Sequence, residues 1–239
     1  VYDGEQTIRR SIESILSQTF KNFILIISDN ASTDSTQIIC EEYEKKDKRI
    51  KYIRQKKNLS ALENFHFLLN MANSKYFAWI SDDDFWDKSF LEKNIKILDS
   101  KEDVIASTGQ TNFIGDFWVV NKNEEFVRKV YKKIRRHFLS LKCYSTKGAK
   151  YEDRIKICLK SSRFPVCIYS LFHTDVLKKT TNHTMHPWDT ISILKILKYG
   201  NIHVFDETLI FRGQGGASST NSIELLINKK IKFHEVLIH

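Results

Sequence analysis

Three consecutive aspartates, Asp82, Asp83 and Asp84, follow a short apolar run at 77–80 in the stretch FAWISDDDFWD. Capping the helix that follows would need one carboxylate, and the other two would only repel it. A divalent cation relieves that repulsion, because Mg²⁺ and Mn²⁺ prefer carboxylate oxygens and commonly share them with substrate phosphates. We therefore favour binding of a metal and a diphosphate here over a loop whose aspartates only cap a helix.

The elements around these aspartates predict where they lie. A second acidic segment, DNASTD at 29–34, also follows directly on a short apolar run of the kind that forms a buried strand. Strands alternate with helices, which favours βαβ units and a parallel sheet in an α/β fold. Ligands bind at the carboxyl ends of such strands, so both acidic segments are expected at one edge. The strands are predicted at 23–28, 50–54, 76–80 and 104–108, and the helices at 5–18, after Thr33 or Asp34, at 61–72 and at 89–99.

The later part of the chain has a looser pattern. Ser89 and Glu92 have the spacing of a capping box at the start of the last regular helix. Beyond it, two prolines and no low-complexity linker indicate one domain with a variable second half. The later elements are predicted as a basic helix over 128–142, a strand over 165–172, a helix over 188–198 and a strand over 202–205.

Composition limits the class of protein. Hydrophobic residues make up 41% and charged residues 28% of the chain, a globular balance that argues against disorder of the whole chain. The net charge of +9 indicates an anionic partner, and a nucleotide diphosphate satisfies this as well as nucleic acid does. The four cysteines lack CxxC or metal-ligand spacing, so we expect reduced thiols, with two disulfides as the alternative. No apolar stretch approaches the ~20 residues of a membrane span.

Three stretches together resemble the family 2 glycosyltransferases. They are VYDGEQTIRRSIESILSQTFKNFILIISDNASTDST, KYIRQKKNLSALENF and YFAWISDDDFWD, in order and with the family's spacing over residues 1–110. The resemblance continues more weakly through 169–179, 187–213 and 215–219. It implies a GT-A fold, that is, a Rossmann-like, mostly parallel central sheet flanked by helices. It also implies a nucleotide-diphospho-sugar donor and a Mn²⁺ or Mg²⁺ cofactor.

The resemblance also implies roles for residues in the first half. Tyr2 corresponds to a tyrosine that stacks near the nucleotide base, and Asp29 to an aspartate that accepts a hydrogen bond from the base, usually uracil. Loop formation with neighbouring polar residues is the alternative for Asp29. Asp84 would ligate the metal, Asp82 would approach the ribose or the metal, and Asp83 could share either role.

Two residues of the second half correspond to family positions. Asp189, in HPWDTISIL, corresponds to the acidic residue at a helix start that acts as the catalytic base. Its alternative is a simple helix cap, since a helix N-terminus stabilises a carboxylate. Arg212, in FRGQGGASS, resembles an arginine that closes over the donor diphosphate.

The resemblance divides the chain into a nucleotide-sugar-binding half, 1–110, and an acceptor-binding half, 111–239, of the same domain. The family has a strand before Tyr2, and the sequence begins just after it. Because that strand would be central in the sheet, we expect the natural protein to extend further toward its N-terminus.

The resemblance thus implies an inverting glycosyltransferase that moves a sugar from a UDP-sugar to a hydroxyl of a glycan or lipid-linked acceptor. The alternatives are a sugar nucleotidyltransferase, which normally has a glycine-rich phosphate loop not visible here, and a non-catalytic nucleotide-sugar-binding module. Nucleic acid is not expected, because the acidic edge would repel it. We expect a cytoplasmic protein, with the basic 128–142 region either a solvated amphipathic helix or a peripheral contact with the membrane surface.

Overall fold

A computed structural model describes residues 1–114, 142–161, 164–181 and 188–213 of the chain. Most of the basic segment predicted as a helix, residues 128–141, lies outside this part, so that prediction stays open. The described helices are α1 (Ile8–Leu16), α2 (Thr36–Lys46), α3 (Ala61–Met71), α4 (Phe90–Ser100), α5 (Tyr151–Lys160), α6 (Thr174–Thr180) and α7 (Trp188–Ile196), with a 3₁₀ helix at Phe164–Tyr169. The strands are β1 (Leu25–Asp29), β2 (Ile50–Arg54), β3 (Tyr76–Phe77), β4 (Phe85–Trp86), β5 (Val104–Phe113), β6 (Leu171–His173) and β7 (Asn201–Arg212).

The strands form a two-stranded and a five-stranded sheet. Strands β1 and β2 pair in parallel, and the larger sheet has the order β3-β6-β5-β7-β4. Its longest ladder, β5 with β7, is also parallel, whereas the three short ladders that involve β3, β4 and β6 are antiparallel. The expected α/β architecture is present, with parallel pairing in the long ladders only. The division expected at residue 110 falls inside β5.

Helix α1 shows how the helical period positions the first acidic loop. Ile8, Ile12 and Ile15 are spaced three and four apart and are all buried, while the opposite face is exposed. Ile8 and Ile12 pack in one cluster with Ile27 of β1 and Ile39 of α2. Since such side chains contribute roughly 1.5–3 kcal/mol each when fully buried, this cluster holds β1 firmly against the two helices.

Strands β5 and β7 are longer than the sequence predicts. The prediction ended β5 at residue 108, but Gln110 and Thr111 are buried too and continue the ladder with β7. Their side chains are polar, so an apolar pattern could not reveal them. Gln110 donates through Nε2 to the carbonyl of Cys143 at 2.9 Å and accepts from its amide at 3.1 Å, which satisfies the buried amide group.

Two predicted strands are wrong in extent. The segment predicted as a strand at 165–172 is a 3₁₀ helix up to Tyr169 and becomes strand only at Leu171. Pro165 explains the difference, because proline has no N–H for a central ladder and its fixed φ suits a tight helical turn. In the run predicted at 76–80, only Tyr76 and Phe77 pair with a described strand.

The predicted capping box of α4 is also wrong. Ser89 does not cap the helix through its side chain; its Oγ and its amide both donate to Oδ1 of Asp87 at 2.6 and 2.9 Å. Glu92 instead accepts from Thr19 Oγ1 at 2.6 Å, which ties α4 to the loop after α1. The spacing was right for a capping box, but both side chains have other partners nearby.

The predictions about membrane spans and cysteine oxidation can be compared with the described part of the chain. None of its helices has the length and apolar character that crossing a bilayer requires. All four cysteines are buried and unbridged, and burial raises the pKa of Cys40 and Cys158 to about 12.

A capping box is present on α3. Ser60 Oγ accepts from the amide of Glu63 at 3.2 Å, and Glu63 Oε2 accepts from the amide of Ser60 at 2.8 Å. We expect Ser60→Ala to lower the free energy of unfolding by about 1 kcal/mol, because it leaves an orphan N–H at the helix start. Denaturant unfolding measures this, with Ser17→Ala as control, since Ser17 lies past the end of α1 and is exposed. An equal effect of both variants would contradict it.

Candidate functional site

Asp29 lies at the carboxyl end of β1 and is fully buried. Its Oδ1 accepts from the amide and Oγ of Ser32 at 2.9 and 2.5 Å, and its Oδ2 accepts from Tyr52 Oη at 2.6 Å and Arg54 Nη1 at 2.8 Å. Burial alone would raise the pKa of Asp29, but the hydrogen bonds from Ser32 and Tyr52 and the charge of Arg54 hold it below its ordinary value. The carboxylate is therefore ionised, and it fixes the loop that follows β1.

These contacts bear on the predicted role of Asp29 toward a nucleotide base. Both of its oxygens already accept two hydrogen bonds, which is the usual capacity of a carboxylate. A base that donates to Asp29 would have to share or replace one of these donors. Tyr2, predicted to stack on the base, lies beside this loop, because Val1 O accepts from the amide of Asn30 at 2.8 Å. Its side chain is 47% exposed and free to contact a ligand.

The loop before α1 is fastened to the loop after β1. Asp3 Oδ1 accepts from the amide of Thr33 at 2.7 Å, and the amide of Asp3 donates to Ser32 Oγ at 3.0 Å. Both loops contain a non-glycine residue with positive φ, Asp3 at 48° and Ala31 at 63°. Backbone in this region is unfavourable for most residues and is often found at functional sites.

Asp82 lies beneath this pair of loops. Thr7 Oγ1 is 3.5 Å from Asp82 Oδ2, and a Cβ at Gly4 would lie 2.6 Å from the same oxygen. Only glycine lets the backbone approach so closely. Burial raises the pKa of Asp82 above its ordinary value. The carboxylate of Asp82 is thus held next to the backbone of the segment before α1.

Asp84 is paired with Arg212. Strands β4 and β7 pair antiparallel with Phe85 opposite Phe211, and the next pair along the ladder would be Asp84 and Arg212. Arg212 Nε donates to Asp84 Oδ2 at 3.1 Å, and the amide of Gly213 donates to Oδ1 at 3.0 Å. The side chains are 2% and 17% exposed, so this is a nearly buried ion pair. Burial raises the pKa of Asp84 to about 7, although Arg212 opposes the shift.

Asp83 has a different environment from its two neighbours. It is buried, and its carbonyl accepts from Arg10 Nη2 at 2.9 Å, while the Arg10 guanidinium lies 4.8 Å from the ring centre of Phe85. A Cβ at Gly213 would collide with the carbonyl of Asp83. Asp83 therefore helps to seat the strand β4 and the end of β7 against α1.

The donor set at this edge fits a hard divalent cation. Asp82 and Asp84 supply carboxylate oxygens, and burial raises the pKa of both, so the negative charge here is only partly compensated. Over the described ranges, no three or more His, Cys, Asp and Glu side chains converge as a ready-made metal cage. A cation at this edge would therefore complete its coordination with other oxygen atoms, as Mg²⁺ does with phosphates. The metal roles of Asp82 and Asp84 stay predictions.

Asp189 lies in the first turn of α7, as predicted. Its Oδ1 accepts from the amide of Thr190 at 2.7 Å, and no residue of the described ranges donates to Oδ2. The preceding Trp188 packs edge-on against Phe65 and Trp79 at ring distances of 5.2 and 5.9 Å. Aromatic packing thus holds the helix start that carries this carboxylate.

Tyr169 connects Arg212 to this helix, and the sequence did not point to it. Arg212 Nη2 lies 3.4 Å from Tyr169 Oη, and its guanidinium is 4.3 Å from the centre of the Tyr169 ring. Tyr169 ends the 3₁₀ helix, against which α7 packs. The segment was predicted as a strand, so the position of this side chain could not be foreseen.

Tyr52 and Arg54 were missed as well, although the sequence contained a signal for them. In IKYIR, alternate residues point to the same face of the strand, which puts Tyr52 and Arg54 together. The parallel register places Arg54 opposite Asp29.

We expect Asp29→Asn to lower the free energy of unfolding by about 3 kcal/mol at pH 7, because it leaves the Arg54 charge unpaired and turns one acceptor into a donor. The folded-state pKa is lowered, so the wild-type stabilisation is present above the ordinary aspartate value and is lost as the pH falls through the folded value. Denaturant unfolding at pH 7 and pH 3 checks this. A difference that stayed equal at both pH values would contradict it.

The Arg212–Asp84 pair gives the opposite pH dependence. Since the folded-state pKa of Asp84 is raised, stability is highest below the unfolded value of 3.8 and falls as the pH rises toward about 7. Arg212→Met removes the compensating charge, so we expect a loss of about 3 kcal/mol at pH 8 and a smaller loss at pH 5. Arg9→Met is the control, because the Arg9–Glu42 pair is exposed and contributes little at either pH. A loss that is no larger at pH 8 would contradict the prediction.

The chain is similar in sequence to several known proteins. A protein from Haemophilus influenzae, named an uncharacterized glycosyltransferase, is 38% identical over 105 residues, which cover 44% of this chain and 32% of that protein. The Escherichia coli UDP-Glc:alpha-D-GlcNAc-diphosphoundecaprenol beta-1,3-glucosyltransferase WfaP is 33% identical over 101 residues, which cover 42% of this chain and 39% of that protein. The chain spans less than half the length of either relative.

A solved structure gives the fold. The crystal structure of S. aureus TarS in complex with UDP-GlcNAc matches with a TM-score of 0.67 and 16% identity, over 93% of this chain and 60% of that one. The sequence model described as Glycosyl transferase family 2 matches residues 1–180. Because this match covers most of the chain, the protein belongs to glycosyltransferase family 2 and has the α/β fold of the GT-A type.

Proposed function

We propose that the protein is an inverting glycosyltransferase that takes a sugar from a UDP-sugar and transfers it to a hydroxyl of a glycan or lipid-linked acceptor. The observation that carries the proposal is the buried pair of Asp84 and Arg212, next to Asp82, whose carboxylate contacts the segment before α1 that is fastened to the loop of Asp29. Family membership supports the reaction class. The name of the E. coli relative, a UDP-glucose-dependent enzyme that acts on a lipid-linked sugar, supports the donor and acceptor classes.

In this proposal the first half of the chain, together with Arg212, binds the donor. The base lies between the exposed ring of Tyr2 and the loop held by Asp29. Arg212 moves away from Asp84 and contacts the diphosphate, because a guanidinium matches phosphate oxygens in geometry and charge. When bound by Asp82 and Asp84, Mn²⁺ or Mg²⁺ would stabilise the negative charge that develops on the leaving diphosphate.

Asp189 acts as the general base. Its carboxylate takes the proton from the acceptor hydroxyl as that oxygen attacks the anomeric carbon from the face opposite the diphosphate, and the carbon–oxygen bond to the diphosphate breaks. Inversion follows from this in-line attack. The aromatic packing around Trp188 holds the start of α7, and so fixes the position of the base.

The test uses the purified protein with UDP-glucose or UDP-GlcNAc, with and without Mn²⁺. We expect donor binding in calorimetry and release of UDP by transfer or slow hydrolysis. We expect Asp84→Asn to lose donor binding in the presence of Mn²⁺. Asp189→Asn should keep donor binding and lose at least about 100-fold in transfer, the usual contribution of a general base.

Asp175→Asn is the matched control for Asp189→Asn, because Asp175 also lies in the first turn of a helix but is exposed and forms an ion pair with Lys179 at 3.6 Å. It should leave both binding and transfer unchanged. Full transfer by Asp189→Asn would overturn the base assignment, and unchanged Mn²⁺-dependent binding by Asp84→Asn would overturn the metal assignment. Formation of pyrophosphate from UTP and a sugar phosphate would instead indicate a nucleotidyltransferase.

A further inference from the structure

A second cavity lies at the opposite edge of the sheet from the carboxylates. It has a volume of about 680 Å³ and lies where β5 and β7 begin, at the paired residues Val104 and Asn201. Both strands run from this edge to the edge of Arg212. Since a strand rises about 3.3 Å per residue, the ten residues of β5 put the two sites roughly 30 Å apart. The proposed donor chemistry therefore makes no use of this cavity.

Hydrogen bonds to β7 fix one wall of the cavity. Residues 145–148 run along the start of β7, where Thr146 N donates to Ile202 O at 2.9 Å and Ile202 N donates to Thr146 Oγ1 at 2.8 Å. Asn201 Oδ1 accepts from Thr146 Oγ1 at 3.3 Å and from the amide of Gly148 at 3.1 Å. Several independent contacts therefore hold one wall in place.

The lining is predominantly cationic. Lys101, Lys147 and Arg154 face one carboxylate, Asp103, which already accepts from Asn201 Nδ2 at 2.8 Å. Neither lysine forms an ion pair with a carboxylate within the described ranges.

The N–H groups of Arg154 have hydrogen-bond acceptors, but its charge is not neutralised by them. Its guanidinium donates to the carbonyls of Gly148, Ala149 and Leu197 at 2.8–2.9 Å. Carbonyl acceptors orient the group but do not cancel its charge, so Arg154 adds to the positive field in the cavity.

His203 also lines the cavity and reports this field. Burial lowers the pKa of its imidazole, and the charges of Lys101 and Lys147 lower it further. Lys101, Lys147 and His203 line the same cavity, and both lysines lie within electrostatic range of the imidazole ring. Ser145 and Thr146 add hydroxyl groups to the same lining.

We propose that this cavity binds a phosphate-bearing anion, held by Lys101, Lys147 and His203. An anion there would relieve the mutual repulsion of the cations and accept charge-assisted hydrogen bonds from the lysine ammonium groups. The phosphate can come from a free phosphate compound or from the headgroup of an anionic phospholipid. This site is separate from the proposed donor site and does not depend on the proposed reaction.

The test follows the His203 ring protons by NMR, assigned with His203→Asn, during titration with inorganic phosphate. We expect a saturable shift, with a raised His203 pKa because the bound anion favours the imidazolium. Lys101→Ala combined with Lys147→Ala should weaken this binding about tenfold or more, since two charge-assisted contacts are lost. The ring of His173, which stacks edge-on against Tyr76 outside the cavity, is the internal control and should not shift.

Lys45→Ala combined with Lys46→Ala is the matched control, because it removes the same charge from an exposed face of α2. It should bind phosphate like the wild type. Co-sedimentation with phosphatidylglycerol vesicles separates the two sources of phosphate. If the wild type and the Lys45/Lys46 variant bind vesicles and the Lys101/Lys147 variant does not, the ligand is the lipid headgroup. If the wild type does not bind vesicles, the ligand is the free compound. The absence of a saturable His203 shift, or an equal shift in the Lys101/Lys147 variant, would overturn the proposal.

Discussion

The structure depends on how the cost of burying its carboxylates is compensated. Burial by itself favours the neutral acid, and each buried aspartate at the functional edge meets that cost differently. Asp29 is fully compensated by hydroxyl, amide and guanidinium donors, and its pKa falls. Asp84 has one guanidinium and one amide, and its pKa stays raised. Asp29 therefore fixes the loop after β1, whereas the negative charge of Asp84 is only partly compensated.

The two acidic segments therefore have different roles. A carboxylate with all its acceptor positions filled holds a loop and is costly to disturb. A carboxylate with compensation still lacking is the place where a cation or a cationic side chain adds most. Arg212 lies at the junction, because it contacts Asp84 on one side and the Tyr169 ring on the other. A ligand that draws Arg212 away also acts on the 3₁₀ helix against which α7 packs.

Much of the first half could be predicted from the sequence, since its apolar runs and helical periods follow single-element rules. Strand β2 and the placement of Asp29 at the end of β1 show this, whereas Asp82 to Asp84 lie beyond the end of β3 and directly precede β4. The contacts that define the site could not be predicted in the same way. Asp84 meets Arg212 only through the register of β4 with β7, and these residues are 128 positions apart in the chain. The buried polar residues of β5 likewise depend on partners from distant segments.

The ladder of β5 with β7 joins the two edges of the sheet but does not keep one register. Its pairing shifts between Val104 and Ala106 and again around Gln110, where the residues of β7 near 206 are exposed. Bulges of this kind absorb an extra residue, whereas a slip in a regular strand would turn every later side chain to the other face. Insertions or deletions near the middle of β7 can therefore be tolerated while Arg212 and His203 keep their orientations.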